Sequence, residues 1–215
     1  MKYNMLTLYH GTDKTSGTKI ISSKSFKRSL GEEHWLGDGV YFYEEKYYAF
    51  RWIYIAYIKK YPQHVPEMEN ITTKYTILSA DIKTVPERIF DLAKIEHKLI
   101  FDRVYKKSLE KNKNRNLKIV DGAVFNFLFY KMGYKKEYDV IKALFIHEDN
   151  DIQINHTRLS YIPEVQYCVI NAEVIKNIKN SSILNEDMFS FAQHYNESGN
   201  GRLIKYKPRK NSYKN

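Results

Sequence analysis

The stretch LYHGT, residues 8–12, closes a short apolar run, and LGDGVYF, residues 36–42, follows after a helix-length segment and a polar loop. Leu6 to His10 reads as a buried strand. A histidine in such a strand is ordinarily a satisfied core residue. Gly11 directly after it changes that reading. Without a side chain at the strand's end, a ligand can approach the backbone and pair with its N–H and C=O. His10 then stands ready to bond a neighbouring hydroxyl. In the second stretch Gly37 and Gly39 bracket Asp38 ahead of a strand over Val40 to Tyr43. Gly-x-Gly alone is a turn signature. Neither Gly-x-Gly-x-x-Gly nor a Walker sequence occurs, so the dinucleotide-binding and P-loop folds are not supported. Tyr41 suits core packing and equally suits stacking on a flat heteroaromatic ring.

The rest of the chain supplies the frame. The segment TDKTSGTKIISSKSF predicts a short capped helix with Ile20 and Ile21 facing in. Residues 27–39 form a polar, glycine-punctuated loop of the kind that carries function. Glu44 to Lys60 has helical spacing through Phe50, Ile53, Tyr54, Tyr57 and Ile58, and Pro62 ends it. KYTILSADI (74–82) predicts a strand. Pro86 opens a long helical region to Lys111, with Ile89, Leu92, Leu99 and Ile100 on one side. Asp121 is placed to cap an apolar helix, Gly122 to Met132, buried all round and stopped by Gly133. YDVIKALFI (138–146) and VQYCVIN (165–171) predict strands, with a polar loop between them. AEVIKNIKN predicts a short helix or turn, and NEDMFSFAQHYN one more helix. This irregular succession of helices and strands points to α+β and away from a doubly wound parallel sheet.

Composition bounds the function. The 215 residues, 43% hydrophobic and 15% aromatic, suit one domain with a real core: residues 1–204, then a basic, flexible tail over 205–215. The single cysteine, Cys168, excludes an internal disulfide, and its place in an apolar strand predicts an inert thiol. The seven histidines show no zinc-ligand spacing, so no metal site is expected. No apolar run is long enough to span a membrane, and no secretory signal is visible, which predicts a cytoplasmic chain without membrane partners. The net charge of +10 suits a polyanion partner. Lys supplies 27 of the 35 cations beside abundant Asn, Ile and Tyr, a pattern that compositional bias also produces.

The late strand holds the last piece of evidence. In YIPEVQYCVIN, Glu164 and Gln166 fall on one face between apolar neighbours. Two such polar side chains do not face a dry core unpaired, so an edge or a site is the natural place for them. His-Gly-Thr after an N-terminal strand, then Gly-Asp-Gly-Val-Tyr-Phe, then a helix with Ala49 and Trp52, then Glu-Val-Gln-Tyr-Cys-Val-Ile resembles the poly(ADP-ribose) polymerase-like ADP-ribosyltransferases. The resemblance implies a split pair of mostly antiparallel sheets flanked by helices, and NAD as substrate.

On that resemblance His10 bonds the adenosine ribose, and Gly11 holds the nicotinamide carboxamide through its backbone. Thr12 and Gly39 line the cofactor site. Tyr41 stacks on the nicotinamide ring, with Tyr48 or Trp52 closing the pocket. The loop FKRSLGEEHW covers the cofactor, and residues 147–163, including Arg158 as a phosphate or carboxylate contact, choose the acceptor. The family's catalytic glutamate falls in register on Gln166, with Glu164 two residues earlier, whereas some arginine-modifying toxins use Glu-x-Glu or Gln-x-Glu with the second glutamate catalytic, the reverse of the Glu-x-Gln order here. Which of the two acts is open. The implied activity is mono-ADP-ribosyl transfer to a macromolecule, with RNA or DNA favoured by the charge and protein as the alternative. A toxin or phage-defence setting, with an antitoxin or inhibitor protein as partner, is the analogy. A non-catalytic NAD or ADP-ribose binding module is a second reading, and an RNA 2′-phosphotransferase a third.

Overall fold

The computed structural model describes residues 4–31, 34–113, 119–145 and 164–181, together with Glu186 and Phe189. The acceptor loop with Arg158, the tail over 205–215 and most of the segment 182–196 lie outside the described residues. β1 (Asn4–Asp13) leads into α1 (Lys14–Ser23), whose N-cap is Asp13, its carboxylate accepting from Ser16 N at 2.9 Å. β2 (Val40–Tyr43) precedes α2 (Lys46–Lys60), and α3 (Met68–Lys74) runs into β3 (Tyr75–Thr84). Then come β4 (Ile89–Asp91), α4 (Ile95–Asn112), α5 (Asp121–Asn126), β5 (Val140–Phe145), β6 (Glu164–Val169) and β7 (Ile175–Asn180).

The strands form a sheet in the order β4-β5-β6-β2-β1-β3-β7. β4 and β5 pair in parallel and the other neighbours antiparallel. With its helices, this is an α+β fold. Alternation along each strand assigns the faces. Leu8, Phe42, Leu78, Val140 and Tyr167 build one core with Phe26, on the side that α1 covers through Ile20. The opposite face is divided. Ile77 and Tyr75 pack under α2 with Ala49, Phe50 and Ile53. Ile141, Ala143 and Cys168 pack under α4 and α5 with Phe101 and Phe125.

Four expectations need correcting. The helix expected from Pro86 is interrupted: Pro86–Arg88 is a 3-10 turn, and Ile89–Asp91 is a strand paired with β5. Three residues carry no period, so the helical count ran through them, and Leu99 stands 57% exposed where it was expected inside. The apolar helix after Asp121 is not buried all round. Its cap is Val120, it turns into a π-helical stretch at Phe127–Lys131, and Phe127 and Met132 are about half exposed. Of the segment expected as a short helix or turn, Ala172–Val174 is a 3-10 turn, but Ile175–Asn180 is the edge strand β7. Its lysines and asparagines point to solvent, as edge strands tolerate. Ile21, expected to face inward on α1, is exposed. Among the described residues no helix is long and apolar enough to cross a membrane.

One buried carboxylate ties the parallel corner together. Asp139 accepts from Arg88 through both oxygens (2.7 and 2.8 Å), from Thr84 Oγ1 at 3.0 Å and from Asn171 Nδ2 at 3.0 Å. Its backbone carbonyl accepts from Ile170 N and Asn171 N. Burial alone would raise its pKa. The bonds from Arg88, Asn171 and Thr84, with the Arg88 charge, outweigh burial and hold it below the usual carboxylate value. A lowered folded pKa contributes stability above the unfolded value that is lost as pH falls through the folded one. Asp139→Asn sets an amide NH2 against donors, so we expect it to cost about 2 kcal/mol at neutral pH, the partly exposed Arg88 limiting the loss. Denaturant titration should show that gap shrinking as pH falls below about 4; equal gaps at both pH values would contradict it.

Candidate functional site

β1 pairs with β3 at every position from Asn4 to Asp13, but with β2 at Tyr9↔Tyr43. Past that pair the two strands part. The sheet is thus two half-sheets, β4-β5-β6-β2 and β1-β3-β7, joined at one register position, with His10, Gly11 and Thr12 along the parting.

His10 bridges it. Its Nδ1 lies 2.7 Å from the Tyr41 carbonyl oxygen. A carbonyl only accepts, so Nδ1 carries the proton and Nε2 is left as an acceptor in the neutral ring. Burial, only partly offset by the bond to Tyr41, pushes the His10 pKa below its ordinary 6.5 and favours that neutral form. Phe26 meets the ring edge-on at 5.1 Å and Phe42 lies 5.7 Å away. A half-buried imidazole with one fixed nitrogen and one acceptor nitrogen is suited to receive a hydroxyl proton.

Gly11 faces the other way, toward α2. A Cβ there would stand 2.6 Å from the Ala49 carbonyl oxygen and 2.8 Å from Ile53 Cγ2, with the Trp52 ring at 3.3 Å. The glycine therefore lets the helix backbone settle directly on β1. Trp52, 45% exposed, sits at this junction, so it stands beside the residue expected to grip the substrate.

Tyr41 is pinned by its hydroxyl, which donates to Gly37 O (2.7 Å) and accepts from Leu36 N (3.0 Å). Burial first, then the adjacent Cys168, raises its pKa, so the phenol stays neutral. The ring holds the turn of LGDG in place, with the His34 ring 5.7 Å away. The same loop is fastened a second time. Asp38 N donates to Asn126 Oδ1 (2.7 Å), Asn126 Nδ2 returns a bond to Asp38 Oδ1 (3.0 Å), and Tyr130 OH donates to Asp38 O (2.9 Å). Arg28 bonds the Tyr130 hydroxyl and lies over its ring. Ser29 and Gly39 exchange backbone bonds at 2.8 and 3.1 Å. A Cβ on Gly39 would come within 2.3 Å of Cys168 Sγ, so this glycine serves the contact between β2 and β6.

The polar pair of β6 lies on the same face as Tyr41 and Tyr43. Register places Gln166 opposite Tyr43, and Cys168 opposite Tyr41. Glu164 and Gln166 are 4% and 6% exposed. Gln166 Nε2 bonds Glu164 Oε1, and Arg51 of α2 lies 3.6 Å from Glu164 Oε2. Burial, then the Glu164 charge, raises the pKa of Tyr43, while Arg51 partly offsets this.

The expected site residues therefore divide. Gly11, Tyr41, Glu164 and Gln166 share one face near the parting, and His10 spans it. Thr12 turns to the opposite face beside Gly17 of α1. Tyr48 is buried, its ring stacked toward Tyr43 at 6.5 Å. Sequence reasoning missed Arg51, Tyr43, Asn126 and Tyr130. Tyr43 was readable from alternation with Tyr41, whereas nothing local in the sequence marks Arg51 or Asn126. Among the described residues no group of three or more His, Cys, Asp or Glu is arranged to hold a metal ion.

The chain is 40% identical over 197 residues to an uncharacterized protein of Methanocaldococcus jannaschii, an alignment covering 83% of this chain and 88% of that one. No family model and no solved structure matches it. The Gly11 geometry yields a direct test. Gly11→Ala should push α2 off β1 at a cost of about 1–3 kcal/mol, read as a lowered melting temperature. An unchanged transition would mean that α2 does not rest on β1 in this way.

Proposed function

We propose that this chain, which belongs to one family with the Methanocaldococcus jannaschii protein, is an NAD-dependent mono-ADP-ribosyltransferase built on the split-sheet fold of the poly(ADP-ribose) polymerase-like enzymes. The observation that carries the reading is the parting of β1 from β2, spanned by the bond from His10 to the Tyr41 carbonyl. There a neutral imidazole offers one acceptor nitrogen, a side-chain-free residue follows it, and an aromatic ring stands across the gap. That combination fits a ribose hydroxyl, an amide and a flat ring, all of which NAD presents.

The reaction balances simply. The bond between ribose C1′ and the nicotinamide nitrogen breaks, and its electron pair leaves with nicotinamide. The acceptor's lone pair forms the new bond to C1′, and any proton on the acceptor passes to solvent or a base. Positive charge develops on the ribose as the bond breaks, which polar groups on the β6 face would stabilise. His10 and Gln166 would orient the sugars, and the Gly11 backbone the carboxamide. Glu164 is already engaged by Arg51 and Gln166, which leaves its oxygens turned to those partners and poorly placed to serve an acceptor. An acceptor already nucleophilic at neutral pH fits such a site better than a serine hydroxyl. Together with the net charge of +10, this favours nucleic acid over protein. The same engaged carboxylate favours, as a second reading, a module that binds NAD without turning it over.

His10→Ala should lower nicotinamide release by about tenfold or more through the lost hydroxyl contact. Because the His10 pKa is lowered, the ring remains neutral as pH falls through 6.5, so release should hold there and decline only at more acid pH. A midpoint at or above 6.5 would contradict the role given to His10. Adenine-labelled NAD incubated with cell extract should leave nuclease-sensitive label. Protease-sensitive label would move the acceptor to protein, and bound NAD without label would favour the binding module.

A further inference from the structure

Gln166 is held in one orientation by its neighbours. Its Nε2 bonds Glu164 Oε1, and Glu164 is paired in turn with Arg51, 3.6 Å away on α2. A carboxylate oxygen accepts hydrogen bonds. The Gln166 atom facing it is accordingly the amide nitrogen. The amide oxygen is turned the other way. All of this happens on the sheet face that carries Tyr41 and Tyr43, with Gln166 directly opposite Tyr43. Both β6 side chains are almost fully buried, and Arg51 is largely so, which makes the arrangement stiff.

We infer that Arg51 and Glu164 are positioning residues that lock the Gln166 amide with its oxygen outward, as an acceptor for a sugar hydroxyl, and that Gln166 is the residue of this strand that meets the substrate. The inference rests on the NAD-using reading of the cleft. Orientation matters because of the charge that develops during the reaction. A hydroxyl can donate to an amide oxygen or accept from an amide nitrogen, so the ground state tolerates either. Once the ribose becomes positive, an acceptor stabilises it and a donor opposes it. The lock is therefore expected to act on kcat and not on KM.

Glu164→Gln reverses the lock without changing its shape. Arg51 takes the new amide oxygen, the new amide nitrogen faces Gln166, and the Gln166 amide turns over. With NAD as the only substrate and nicotinamide release as the readout, we expect kcat to fall about tenfold or more with KM within about threefold. The exchanged pair Glu164→Gln with Gln166→Glu puts an acceptor outward again and should restore kcat to within about threefold of wild type. A merely structural role for Glu164 would lower the melting temperature and would not be rescued by the exchange. Unchanged kcat in Glu164→Gln, or no rescue in the exchanged pair, would overturn the lock while leaving the cleft reading intact. Wild-type protein that releases no nicotinamide would sink the cleft reading and this inference with it. Should Glu164→Gln fail to fold, Arg51→Lys reads the same lock. It keeps the charge, loses the fork, and is expected to lower kcat severalfold at constant KM.

Discussion

A single hydrogen bond from an imidazole to a main-chain carbonyl stands where a strand ladder would otherwise run. Between β1 and β2 the backbone pairing stops after Tyr9↔Tyr43, and His10 meets the Tyr41 carbonyl in its place. Other features of the fold compensate for that parting. On one face each half-sheet has its own helical cover, α2 on one and α4 with α5 on the other, while the core on the opposite face runs across both halves and holds them together. The Asp139 network ties the β4–β5 corner to Thr84 at the end of β3, and the ten-position ladder with β3 stiffens β1. Stiff halves joined at a narrow seam hold the residues along the parting in a fixed relation, as a preorganised site requires.

The loop before β2 extends the same principle. Its backbone is bonded by Asn126 and Tyr130, residues that arrive from the helical layer. The seam is thus held from above by side chains belonging to the half-sheet that carries β2. Charge follows a related logic on β6. A carboxylate and an amide on a mostly apolar face would be costly if left alone. Arg51 offsets that cost from α2, which covers the other half-sheet. The ion pair therefore links the two halves electrostatically close to where their backbones separate.

Much of this was legible in the residues, unevenly and for physical reasons. β2 was read with its observed bounds because an aromatic run after Gly-Asp-Gly has one reasonable interpretation. The shared face of Glu164 and Gln166 followed from alternation. β4 was invisible because three residues set no period and its partner is distant in sequence. β7 lies within a segment that reads as a short helix or turn, and the observed strand is irregular at Asn177, a non-glycine residue at φ +50°. At the site, residue identities were readable and their bonding was not. Nothing in LYHGT says that Gly11 is also demanded by Ala49, and nothing in EVQ says that Arg51 will neutralise the glutamate.

The contact between Gly39 and Cys168 has a practical consequence. Cys168 is the chain's single thiol, it is fully buried opposite Tyr41, and burial pushes its pKa up to about 12. In the folded chain it is neither accessible nor ionised, so a thiol reagent can reach it only when β2 lifts from β6. The protein therefore carries its own clock. The rate at which an alkylating reagent consumes that one sulfur reports how often β2 lifts from β6 beneath Tyr41, and a ligand bound along the parting should slow it.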